Sequence, residues 1–257
     1  MSTSFHFNDN YITLFCKLSV FVNIFVLRKM LRNKLVVTLE GNIGAGKTTI
    51  LKALKEKLGN SCYVCVPEPV DYFKFSQVNG RDHNPLQCFY NNSKIYAESL
   101  QWWVRKSYDK QLNELSKFST SDSTIITDRG IYASTIFVKA NHHNGTINPF
   151  AHDFLINEID ETIVKYFGAK CKYGANKLYY INTPVEKCFE NLQIRNRHEE
   201  KQLHSVSMIP YLQLIEQFHN DYITKFKQEH GEHNVKVGYF PTVDKTVEDI
   251  IKFIDNS

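Results

Sequence analysis

Leu35-Val36-Val37-Thr38-Leu39-Glu40-Gly41-Asn42-Ile43-Gly44-Ala45-Gly46-Lys47-Thr48-Thr49 decides the fold. A short run rich in β-branched residues, Leu35 to Leu39, reads as a strand, and the apolar spacing from about Lys47 to Leu58 reads as a helix. Between them Gly41, Gly46, Lys47 and Thr48 occupy the fixed positions of a P-loop, in the strand–turn–helix context that the motif needs. Glycines there let the backbone wrap an anion without a Cβ in the way. The successive N–H groups and the helix N-terminus then face the phosphates. Lys47 is suited to reach the β- and γ-phosphates and Thr48 to hold Mg²⁺. The stretch from Gly41 to Thr49 therefore predicts a bound nucleoside triphosphate, and by itself leaves a GTPase, an ATPase motor and a small-molecule kinase open.

Downstream, strands and helices alternate. Tyr63 to Val66 forms a second strand ending at Pro67-Glu68-Pro69, and residues 70–90 read as loop-rich. A long helix is expected from about Asn91 to Lys117. Ser123 to Thr127 makes a third strand closed by Asp128-Arg129-Gly130, followed by a helix from Tyr132 to Ala140 and a loop over 141–148. Further helices are expected over 149–167, 184–195, 211–229 and 247–254, with strands over 177–181 and 235–239. Short apolar strands between helices imply an α/β fold, a parallel sheet of about five strands covered on both faces.

The chain has 257 residues, enough for one α/β domain, with 42% hydrophobic and 23% charged residues. A net charge of +4 suits an anionic substrate, and no Lys/Arg run points to nucleic acid. Six scattered cysteines do not form a disulfide framework. Cys62 and Cys65 form a CxxC within a strand and lack a matching Cys/His pair, so they read as structural thiols. His142-His143, in an Asn/Gly-flanked loop, reads against a metal site.

Residues 1–33 read as an apolar, basic extension ahead of a catalytic domain over 34–257. Tyr11 to Leu27 is apolar but carries Lys17 and is marginally short for a spanning helix. A targeting segment, a membrane-associating helix and a dispensable leader before a start at Met30 remain open, and the position of Met30 favours the leader.

The strand ends carry the acceptor chemistry. In an open α/β sheet the carboxyl ends of strands border the ligand crevice. Glu68 there can orient a hydroxyl and take its proton, while Asp128 can serve Mg²⁺ and Arg129 the transferred phosphoryl. Arg195 and Arg197 can close over a triphosphate. Solvated or structural roles are the bland reading of each, and the chain order of the whole set favours the functional one.

These stretches, with Val66-Pro67-Glu68-Pro69-Val70, Leu86-Gln87-Cys88-Phe89-Tyr90, Gln101, Asp128-Arg129 and Arg195-Asn196-Arg197-His198-Glu199-Glu200, resemble the deoxyribonucleoside kinase family over roughly residues 34–230. The resemblance implies ATP and Mg²⁺ as cofactors and phosphorylation of a deoxyribonucleoside 5′-hydroxyl. It makes Glu68 the base, supported by Arg129, with Lys47 on the phosphates and Thr48 and Asp128 at the metal. Gln101 would read the base edge and Tyr90 and Glu200 the 3′-hydroxyl. Phe73, Leu86, Phe89 and Val138 could wall the base pocket, a core role being equally open.

Three departures accompany the resemblance. The family's Glu-Arg-Ser is Asp128-Arg129-Gly130, and Asn191 replaces a further arginine one turn before the lid pair. Tyr108 and Ser134 stand where deoxycytidine- and purine-preferring members carry an Arg/Asp pair. Neutral residues there resemble thymidine-accepting or broad enzymes. A homodimer is implied by resemblance alone, and a cytoplasmic or alternatively mitochondrial location is expected. The competing readings are a thymidylate kinase and a nucleotide-binding regulatory module without turnover.

Overall fold

The computed structural model describes residues 31–32, 34–59, 62–74, 76–78, 81–118, 123–195, 208–239 and 241–256, with backbone alone at 74, 76–78 and 118. The extension before residue 31 and the lid residues Arg197 and Glu200 lie outside this set.

Five parallel strands form the central sheet: β1 (Val36–Gly41), β2 (Tyr63–Val66), β5 (Thr124–Asp128), β6 (Lys177–Ile181) and β7 (Val235–Gly238). Their order is β2-β5-β1-β6-β7. The chain first builds one side of β1 and then the other, so β1 is central and carries the P-loop at its carboxyl end. The register sets Leu39 beside Asp128 and Gly41 beside Ile181, which brings the ends of three strands together.

Side-chain alternation along β1 splits the core. Val36 belongs to one buried cluster and Val37 and Leu39 to another. The second cluster is roofed by α1 (Lys47–Leu58), α7 (Val185–Arg195) and α9 (Val243–Asp255) through Leu51, Leu54, Leu192 and Ile250. The first is covered by α4 (Ser93–Phe118), α5 (Ser134–His143), α6 (Pro149–Phe167) and α8 (Met208–His230). Leu54, Ile126, Leu212 and Phe226 are fully buried. Each such side chain contributes about 1.5–3 kcal/mol relative to an exposed one. The same alternation turns Thr38 and Glu40 toward the first cluster, which matters for the site.

Residues 70–90, expected as loop, are more ordered than that. They form α2 (Val70–Lys74), an antiparallel hairpin of β3 (Ser76–Val78) and β4 (Arg81–His83), and α3 (Pro85–Asn91). The start of α3 is explained by its cap: the Asn84 side chain accepts from the Gln87 N–H, and Pro85 opens the helix. His142 and His143 also differ from expectation, ending α5 rather than lying in a loop. Among the described residues, no helix is long and apolar enough to cross a membrane.

Candidate active site

The P-loop is built by backbone geometry. Gly44 and Gly46 have φ of 82° and 90°, a region that disfavours any Cβ. Gly44 is also pinned by space, since a Cβ there would lie 2.3 Å from the Cys188 carbonyl oxygen on α7. Gly46 caps α1 without a side-chain bond and has open space on the side where a Cβ would stand. Outer bonds brace the loop. Asn191 Nδ2 donates to Gly44 O at 2.8 Å, Thr183 Oγ1 to Ala45 O at 3.0 Å, and Asn42 Nδ2 to Leu212 O at 2.9 Å. Asn42 thus serves the loop's shape.

Lys47 is buried, and its ammonium donates to Gly41 O at 3.0 Å and Asn42 O at 2.8 Å. Burial, then the nearby Arg129 charge, lowers its pKa to about 8. Thr48 Oγ1 donates to Asp128 Oδ2 at 2.6 Å, and the other oxygen, Asp128 Oδ1, is buried without a hydrogen-bond partner among the described residues. A hydroxyl beside a carboxylate with a free oxygen is a hard donor set that suits Mg²⁺, which keeps most of its waters. The open face of Gly46 likewise fits a phosphate chain.

Arg129 follows Asp128 and is the one described non-glycine residue with positive φ, 64°. Such a conformation costs on the order of 1–3 kcal/mol and persists only where surroundings enforce it. Its Nε lies 3.3 Å from Glu68 Oε1, its Nη1 3.7 Å from Glu40 Oε2, and its Nη2 donates to Gly41 O at 3.3 Å. The guanidinium packs over Phe137 at 4.9 Å. Nε and Nη1 are within ion-pair distance of the carboxylates but not aligned as hydrogen bonds. Burial works against the charge, yet Glu68 and Glu40 outweigh it and raise the Arg129 pKa. Glu68 itself is partly exposed at the cavity wall. Its loop is held by Gln111 Nε2 donating to Pro67 O at 2.8 Å and by the Val70 N–H donating to Glu68 O at 2.8 Å.

Lys47, Thr48, Glu68, Asp128 and Arg129 border one cavity of about 850 Å³. Ile43, Ala45 and Thr49 of the P-loop and Arg195 of α7 are among its lining residues. Phe73, Leu86, Phe89, Tyr90, Gln101 and Ser134 line the other end. Gln101 Oε1 and Ser134 Oγ are buried without hydrogen-bond partners among the described residues. Tyr108 lines the same end, and its hydroxyl donates to Arg129 O at 3.4 Å. Of the two roles open to Val138 the structure shows the core one, and its neighbour Phe137 lines the cavity. Tyr211, on α8, also lines the cavity and was missed, because nothing near it in sequence signals a site.

A P-loop and a carboxylate–arginine pair lining one cavity define a phosphotransferase of the P-loop kinase class. The chain belongs to the deoxynucleoside kinase family, whose model matches residues 37–256. It is a kinase of that family, in which ATP, generally with Mg²⁺, is the phosphate donor. It is 27% identical over 206 residues to a probable deoxycytidine kinase of fowlpox virus, covering 78% of this chain and 75% of that protein. It is 29% identical to human mitochondrial thymidine kinase 2 over 75% of this chain, a match spanning 65% of the human protein. With the mitochondrial deoxyguanosine kinase of Xenopus laevis it shares 26% over 78% of this chain and 77% of the other.

Proposed function

We propose that the chain transfers the γ-phosphoryl group of ATP to the 5′-hydroxyl of a deoxyribonucleoside. The observation that carries this reading is the Glu68–Arg129 pair, 3.3 Å apart, in the cavity that the P-loop also lines. Glu68 accepts the hydroxyl proton as the oxygen attacks. Arg129 stabilises charge building on the transferred group, and Lys47 holds the phosphates on the donor side. Mg²⁺, held by Thr48 and Asp128, would neutralise phosphate charge. Arg195 and Arg197 close over the donor.

The acceptor's base packs among Phe73, Leu86 and Phe89. Its edge meets Gln101, a group with both donor and acceptor, and Ser134. Tyr90 and Glu200 take the 3′-hydroxyl. With Tyr108 and Ser134 both uncharged, the preference leans to thymidine, other pyrimidines or a broad range. The different bases in the relatives' names are consistent with a fold that admits several. The cytoplasm is the proposed compartment, with the mitochondrion as alternative. A homodimer is proposed through the apolar residues exposed on α4 and α6, among them Ile95, Trp102 and Phe154.

Glu68→Gln tests the reading. It keeps the shape of the side chain and removes the base, so kcat should fall by about 10²–10⁴-fold. Binding of a fluorescent ATP analogue should persist. Turnover retained in Glu68→Gln would refute the assignment of the base.

A further inference from the structure

Glu40 takes no part in the transfer scheme, yet it is a fully buried carboxylate next to the P-loop. Taking such a group out of water is unfavourable unless it is paired and hydrogen-bonded. Oε1 accepts from Thr38 Oγ1 at 2.9 Å and from the Gly130 N–H at 2.8 Å. Oε2 makes no hydrogen bond among the described residues. What faces it is Arg129 Nη1 at 3.7 Å and His219 Nε2 at 3.9 Å.

The two neighbours are not equal. His219 Nδ1–H donates to Ile215 O at 2.8 Å, and burial together with the Arg129 charge lowers the ring's pKa, so the imidazole stays neutral. Arg129 is therefore the close counter-charge. Glu40 grips both ends of one feature, the guanidinium through Oε2 and the next backbone N–H through Oε1. Between those two points lies the φ of 64° that turns Arg129 toward the crevice. The space is fitted to this, since a Cβ on Gly130 would lie 3.0 Å from Thr38 Oγ1.

We propose that Glu40 is a positioning residue for phosphoryl transfer, its buried carboxylate holding the Arg129–Gly130 turn so that the guanidinium is shared between Glu40 and Glu68. Without the inner carboxylate, the guanidinium is drawn wholly to Glu68 and occupies the base that must receive the proton. The proposal rests on the reading of Glu68 and Arg129 given above.

Steady-state kinetics of the full chain, Glu40→Gln, Arg129→Met and the double variant test it, with melting temperatures alongside. Glu40→Gln should lower kcat roughly 10²-fold, the size expected for a misplaced reacting group, and leave KM for ATP unchanged. In the Arg129→Met background the same change should have no further effect, because Glu40 acts through Arg129. Unchanged kcat in Glu40→Gln, or the same fold-loss in both backgrounds, would overturn the proposal. Should Glu40→Gln fail to fold, Thr38→Val keeps the charge and removes the hydroxyl that orients it. A several-fold fall in kcat is then expected, and an unchanged kcat overturns the proposal. If the unaltered chain phosphorylates no nucleoside, the underlying reading fails and takes this proposal with it. An active parent with an indifferent Glu40 removes the proposal alone.

Discussion

Charged residues at this site are set by burial and by one another. Asp128 shows this at the proposed Mg²⁺ position, with one oxygen taken by the Thr48 hydroxyl and the other without a hydrogen-bond partner among the described residues. Asp128→Asn keeps the size and weakens the donor, so the Mg²⁺ concentration for half-maximal activity should rise roughly 10- to 100-fold. A Mg²⁺ titration of the rate checks this. His219 makes a prediction about stability. Its folded pKa lies well below that of an unfolded histidine, so below about pH 6.5 the unfolded state binds the extra proton. Stability should fall as pH drops through that window. Glu40, raised by burial, titrates with the opposite sign, so the comparison with a variant isolates the histidine. Between pH 7.5 and 5.5 the melting temperature of His219→Gln should fall less than that of the parent.

At the level of elements, the P-loop and α7 form one packed unit, joined by Asn191 to Gly44 and by the contact of Gly44 with Cys188. Gly44→Ala would combine left-handed strain with a backbone clash and should cost about 2 kcal/mol or more, read as a lowered urea midpoint. The sequence expectation had placed Asn191 only as a missing arginine. Its bond to the loop depends on α7 docking over β1, and nothing in the spacing of residues 184–195 reveals that. The strand–turn–helix around Gly41–Thr48 was legible because its period, turn chemistry and motif agree locally. The hairpin of β3 and β4 was not, because two three-residue strands carry almost no alternation. The Asn84-Pro85 pair at the start of α3, by contrast, carries a helix-start signal in the sequence itself. Glu40 is the instructive case at the site: in sequence it is only the residue before a glycine, and its contact with Arg129 exists only once β1 and β5 pair.

Across the whole molecule, the order β2-β5-β1-β6-β7 gathers Glu68, Asp128-Arg129 and the P-loop at adjacent strand ends, although up to about 90 residues separate them in the chain. Strand alternation then assigns two cores and leaves α4 and α6 side by side on one flank, linked by Lys165–Asp109 at 2.7 Å and Arg105–Glu158 at 3.4 Å. Trp102 and Ile95 are exposed on that flank. Trp102→Glu should shift the proposed dimer to monomer in sedimentation analysis while the fold persists. The acceptor is settled by one assay. ATP consumption and product identity are measured with thymidine, deoxycytidine, deoxyadenosine, deoxyguanosine and thymidine monophosphate in parallel. Formation of a 5′-monophosphate from at least one deoxynucleoside, with thymidine monophosphate left unchanged, is the predicted result; phosphorylation of the monophosphate alone would contradict it.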